Sequence, residues 1–142
     1  MSVGMDCGRG GVVNATLIMG GSHADQRGTL RFCNDFDMGE VRRFYTICNS
    51  AEQPRRGWIM HRRETKWFFP LVGVTLVRVD GEARQDFRLD AASPAVLKVP
   101  PGNWFLIEQD GRVEVQVFSS CAVGEFPNDD FRRAVEPEGS EK

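Results

Sequence analysis

Apolar and polar positions alternate through most of this 142-residue chain with the two-residue period of β-strands, not the 3.6-residue period of helices. Residues 12–19 are apolar and β-branched and stop at Gly20-Gly21. Residues 29–34 alternate, and so do 42–48 through Phe44 and Thr46. Long aromatic and branched runs follow at 65–69 and 72–79, and Asp80-Gly81 predicts a hairpin turn into 83–89. Residues 95–99 end at Pro100-Pro101, 104–108 lead into a second hairpin at Asp110-Gly111, and 113–119 alternate cleanly. The pattern predicts eight or nine short strands and, at 128–133 alone, a closing turn of helix. An all-β sandwich or barrel over 12–133 is expected, between a flexible, glycine-rich N-terminus (1–11) and a disordered acidic tail (134–142).

Composition changes this picture little. Fifteen glycines and ten phenylalanines favour a turn-rich, aromatic-filled β architecture over a helical bundle. A net charge of −2 provides no general basic field, so nucleic acid and acidic membranes are not expected partners. No apolar run is long enough to span a bilayer, and no basic segment followed by an apolar block opens the chain. A cytoplasmic location is therefore expected. Cys7, Cys33, Cys48 and Cys121 are scattered, with no pair at metal-ligand spacing, and are read as small buried thiols.

The chemistry concentrates in Arg56-Gly57-Trp58-Ile59-Met60-His61, followed by Glu64, Lys66 and Trp67. It sets one of only two histidines beside a glycine turn, at the mouth of an aromatic strand. Packing against Trp58 and Trp67 would keep that imidazole neutral, as a proton-transfer base requires. The plainer reading is a histidine donating to a strand carbonyl. Tyr45, the only tyrosine, shares a strand face with Arg43 by the two-residue rule, so the pair can meet one ligand; a core phenol is the alternative. Lys66 either polarises a carbonyl or snorkels from a strand end. Arg27, in Asp25-Gln26-Arg27-Gly28, either forks onto a diphosphate or pairs with Asp25. Trp104, beyond Pro100-Pro101-Gly102, stacks on a ligand or closes the core. His23 is read as a surface residue or, at most, a ribose contact.

In this order and spacing, Asp25-Gln26-Arg27-Gly28, Arg43-Phe44-Tyr45, Arg56-Gly57 with His61, and Pro-Pro-Gly before Trp104 resemble one group of enzymes. These are the cupin-fold dTDP-4-keto-6-deoxyglucose 3,4-ketoisomerases and the related dTDP-4-dehydrorhamnose 3,5-epimerases. The resemblance implies a cupin, a double-stranded β-helix or jelly-roll barrel, forming a homodimer. It also implies a nucleotide-linked 4-keto-6-deoxy sugar as substrate, with no cofactor and no metal. It casts His61 as base with Tyr45 and Lys66 assisting. Arg27, Arg43 and Arg56 would hold phosphates or the enediolate oxygen, Arg27 from the partner subunit, and Trp104 would stack on base or sugar. The ketoisomerases carry a His-x-His pair after the glycine turn, where this chain has Ile59-Met60-His61. The epimerases place their imidazole near Ile59. A 3,4-ketoisomerase is therefore the expected function, with a C3 or C3/C5 epimerase and a non-catalytic nucleotide-sugar-binding cupin as rivals. The metal-ligand pattern of other cupins leaves only His61 and Glu64 here, fewer than a stable site uses.

Overall fold

In the computed structural model, which describes residues 11–135, twelve strands and no helix form among the described residues. They are β1 (Thr16–Met19), β2 (Gly21–Asp25), β3 (Gly28–Phe32), β4 (Arg43–Ile47), β5 (Arg55–Met60) and β6 (Lys66–Val72). Then come β7 (Val74–Asp80), β8 (Arg84–Asp90), β9 (Ala95–Val99), β10 (Trp104–Gln109), β11 (Glu114–Ser119) and β12 (Phe131–Arg132). One five-stranded antiparallel sheet runs β1-β9-β6-β11-β4 and a second runs β12-β5-β10-β7-β8, while β2 and β3 form a separate hairpin. This is the jelly-roll arrangement of a cupin. Most of the expected glycine-rich N-terminus and acidic tail, with Cys7, lies outside the described residues.

Period-two alternation builds the core. Val77 and Val79 of β7, Phe105 and Ile107 of β10, Val115 and Val117 of β11, and Phe68 of β6 all turn inward and are buried. Phe68 and Phe105 meet edge-on at 5.6 Å. Each such side chain contributes roughly 1.5–3 kcal/mol by leaving water. Gln109, 3% exposed, joins the sheets at one end, donating to the Ile47 carbonyl and the Thr75 hydroxyl, both at 3.2 Å, and accepting from the Asn49 amide at 2.6 Å.

Several boundaries differ from expectation. Only residues 16–19 of the first apolar run pair, on β9, where they cover that sheet's edge. The β2–β3 hairpin starts eight residues before the strand expected at 29–34, and its residues are mostly exposed. Arg31 fastens it to the barrel, donating to the carbonyls of Leu71 and Ala91 at 3.1 Å each and of Pro70 at 3.4 Å. Gly73, at φ +70°, separates β6 from β7. The expected glycine turn at Gly57 is instead part of β5, in a bulge against β10. Gly57 has φ +130°, and a Cβ there would lie 2.6 Å from the Phe105 carbonyl oxygen. The helical turn expected at 128–133 is absent; Phe131 and Arg132 pair with Met60 and Ile59 of β5. Of the thiols, Cys121 is buried but Cys48 is exposed.

Candidate functional site

A cavity of about 320 Å3 lies between the sheets. Arg43 and Tyr45 of β4 and Lys66 and Phe68 of β6 line it from one sheet, Arg56 and Ile59 of β5 and Phe105 of β10 from the other, with His61 and Glu64 in the β5–β6 connection. The segment 121–130 also lines it and contributes Phe126, Pro127 and Asp129.

Glu64, 6% exposed, is the hub. Its Oε2 lies 2.5 Å from the Lys66 ammonium and accepts a very short hydrogen bond from the Ser119 hydroxyl. His61 Nδ1 stands 3.6 Å from Oε1, and Arg43 Nη2 3.9 Å from Oε2. Burial pushes this carboxyl up; hydrogen bonds from Lys66 and Ser119 and the positive charge of Lys66, joined by that of His61 whenever its ring is protonated, outweigh it and hold Glu64 below the usual carboxylate range. Lys66 is buried rather than snorkelling from a strand end, at 5% exposed. Its ammonium also donates to the Tyr45 hydroxyl at 2.8 Å. Having accepted that bond, the phenol keeps its own proton for whatever occupies the cavity. Arg43 lies over the Tyr45 ring at 5.1 Å, and its buried Nε has no protein partner.

His61 Nδ1 is 2.7 Å from the main-chain oxygen of Asp129. A carbonyl can only accept, so Nδ1 carries a proton, and in the neutral ring the lone pair sits on Nε2, which bonds to none of the described residues. The ring beside the imidazole is Phe105, at 6.0 Å between centroids. The expected packing against two tryptophans is not found: Trp58 lies beneath Arg84 and Arg133, and Trp67 packs on Phe36. Asp129 is itself buried, and its carboxylate accepts the backbone amides of Arg62 at 2.7 Å and Arg63 at 3.0 Å.

Of the residues expected in the site, Tyr45, His61, Lys66, Arg43 and Arg56 share this cavity, and two do not. Arg27 sits exposed at the tip of the β2–β3 hairpin, its guanidinium 2.7 Å from Asp25. The Arg27 hydrogen bonds to the side chain, followed by its backbone amide, draw the Asp25 carboxyl downward. Trp104 points away from the cavity because its neighbours Phe105 and Ile107 take the inward positions of β10; Arg133 covers its ring at 4.9 Å. Ser119 and Asp129 went unrecognised in the sequence, and Glu64 was noted only as a metal ligand. The Glu64-x-Lys66 spacing was the available signal, since it sets acid and base on one side of an extended chain. Ligand atoms of His61, Glu64 and Asp129 come within 4.8 Å of one another. They do not suit a cation: both Asp129 oxygens hold backbone amides, and an ammonium already occupies Glu64.

Comparison with known proteins agrees with the fold. The family described as WxcM-like, C-terminal (FdtA) matches residues 13–134. The QdtA 3,4-ketoisomerase of Thermoanaerobacterium thermosaccharolyticum, a double mutant in complex with TDP, superposes with a TM-score of 0.69 at 22% identity, covering 86% of this chain and 89% of that one. The Mycobacterium tuberculosis RmlC epimerase gives 0.69 at 18% identity over 83% and 68% of the two chains. ChmJ, a 3'-monoepimerase of Streptomyces bikiniensis in complex with dTDP-quinovose, gives 0.70 at 13% identity over 85% and 70%. No curated protein sequence matches. No helix among the described residues is long and apolar enough to cross a membrane.

Proposed function

This chain belongs to the WxcM-like, C-terminal family, and from the chemistry of its cavity we propose that it isomerises a nucleotide-linked 4-keto-6-deoxy sugar, moving the ketone from C4 to C3. The observation that carries this reading is His61, with Nδ1–H on a carbonyl and Nε2 unpartnered beside the cavity that holds the Tyr45–Lys66–Glu64 chain. A cavity of about 320 Å3 is at the small end of ligand sites, enough for the sugar while the nucleotide lies toward the mouth.

His61 Nε2 takes the proton from C3, and the C–H electron pair becomes the C3–C4 double bond. Charge collects on O4, where the Tyr45 hydroxyl and Lys66 ammonium stabilise it; one such donor is worth about 10²–10³ in rate. The single O3 proton then passes to O4, and the imidazolium returns its proton to C4, leaving the ketone at C3. Glu64 holds the Lys66 ammonium beside Tyr45, and its Oε1, 3.6 Å from Nδ1, favours the transient imidazolium. Arg43, with its unpartnered Nε, and Arg56 receive anionic oxygens of the substrate.

Replacing His61 by Asn should abolish turnover of dTDP-4-keto-6-deoxyglucose while dTDP still raises the melting temperature. Unchanged turnover would sink the assignment. In D₂O, C4 of the product should gain label to the extent that the imidazolium exchanges with solvent before it returns its proton; label at C5 would favour a C3/C5 epimerase. Ile59, an alkyl side chain facing the cavity, gives weight to a binding-only cupin. That reading requires stabilisation by nucleotide sugars without turnover in the wild type.

A further inference from the structure

The segment 121–130 is fastened to the barrel at a few points, and one residue makes three of the contacts. The two carboxylate oxygens of Asp129 take the amides of Arg62 and Arg63, immediately after His61, while its main-chain oxygen takes the His61 Nδ1 proton at 2.7 Å. Besides these, Arg63 stacks on Phe126 at 4.8 Å. Within the segment, Glu125 and Asp129 donate their amides to the carbonyls of Ala122 and Phe126, making two successive turns that set the Asp129 main chain. The carboxylate thus grips the chain beside the histidine, and the carbonyl of the same residue decides which imidazole nitrogen carries hydrogen.

We propose that Asp129 is a positioning residue that couples the seating of segment 121–130 against the cavity to the tautomer of His61. With the segment seated, the proton is on Nδ1 and Nε2 is the acceptor. With the segment lifted, the carbonyl leaves, either nitrogen can hold the proton, and the ring loses its fixed orientation. Proton abstraction then becomes available only with the segment seated. The catalytic consequence rests on His61 being the base; the tautomer itself does not.

The test is ¹⁵N NMR of the full chain near neutral pH. Only His23 and His61 contribute imidazole signals, and His23→Gln assigns them. Wild type should show His61 with a protonated Nδ1 and a bare Nε2. Asp129→Ala should give averaged tautomers and a kcat about 10²-fold lower, the scale of a misplaced catalytic group. Asp129→Asn, which keeps one acceptor for the backbone amides, should lie between and also serves if the alanine variant does not fold. A wild-type ¹⁵N signature in both variants overturns the proposal whatever the kinetics. Averaged tautomers with unchanged kcat would uphold the positioning role of Asp129 and instead overturn His61 as the base.

Discussion

Replacing Lys66 by Met tests the polar hub directly. The side chain is nearly isosteric, so packing survives while the ammonium disappears. Glu64, 6% exposed, then keeps the Ser119 hydroxyl but loses the cation at 2.5 Å, with Arg43 at 3.9 Å the next guanidinium. Removing one member of a buried pair is destabilising by about 3–5 kcal/mol, because the partner is left charged and dry. For a domain of this length that corresponds to a fall in Tm of roughly 10–15 °C. The pH dependence is more telling than the size. In wild type the folded-state pKa of Glu64 lies below its unfolded value, near 4.5, so the unfolded chain binds that proton more tightly. The resulting stability is present above about pH 4.5 and is lost as pH falls through the lower folded value. Without Lys66, burial, the largest influence on this carboxyl, faces weaker opposition and the folded value rises. The destabilisation by Lys66→Met should therefore be large at pH 7 and shrink toward pH 4. Urea unfolding at both pH values, followed by fluorescence of the three tryptophans, measures it. An equal loss at the two pH values would refute the argument, since Glu64 would then not be charged by virtue of Lys66. The double variant Glu64→Gln/Lys66→Met should recover most of the loss.

Two further substitutions probe the frame around the cavity. Gly57→Ala should be severely destabilising, by about 3 kcal/mol or more, since its Cβ meets backbone at 2.6 Å and φ is +130°; Gly28→Ala, at the same φ with nothing within 4 Å, should lose only the strain of about 1–3 kcal/mol. Paired thermal melts would show the difference, and equal losses would contradict the close approach to β10. Arg31→Ala strips donors from three carbonyls and should loosen the β2–β3 hairpin rather than the barrel. Limited proteolysis should then cut within 20–33 faster than in wild type while the Tm changes by only a few degrees. Unchanged cleavage would mean the hairpin is held by something else.

What the chain disclosed in advance followed burial. A strand with one wet and one dry face, such as β11, was legible because each inward residue announces itself by alternation, whereas β7 stood out only as a run of branched apolar residues. The hairpin strand β2 escaped because His23, Ala24 and Asp25 are all exposed, leaving no periodic contrast. β12 was mistaken for a helical turn because two residues carry no period; docking on β5 makes them a strand. In β10 every residue from Trp104 to Ile107 is apolar, so alternation could not say that Trp104 faces outward. Within the site, Tyr45 and Arg43 shared a face as their spacing required. Ser119 and Asp129 reach Glu64 and His61 across 55 and 68 residues, and no local pattern encodes such a meeting.

The Phe68–Phe105 contact has a further consequence. Tyr45 and Lys66 belong to one sheet, while His61 continues a strand of the other, so the spacing between phenol and imidazole is set by the thickness of the hydrocarbon layer separating the two. That layer acts as a shim. Trading an aromatic ring there for a slimmer or bulkier neighbour would shift that spacing although every hydrogen-bonding side chain is retained, so sequences that look identical at the polar positions can still differ in the shape of the cavity.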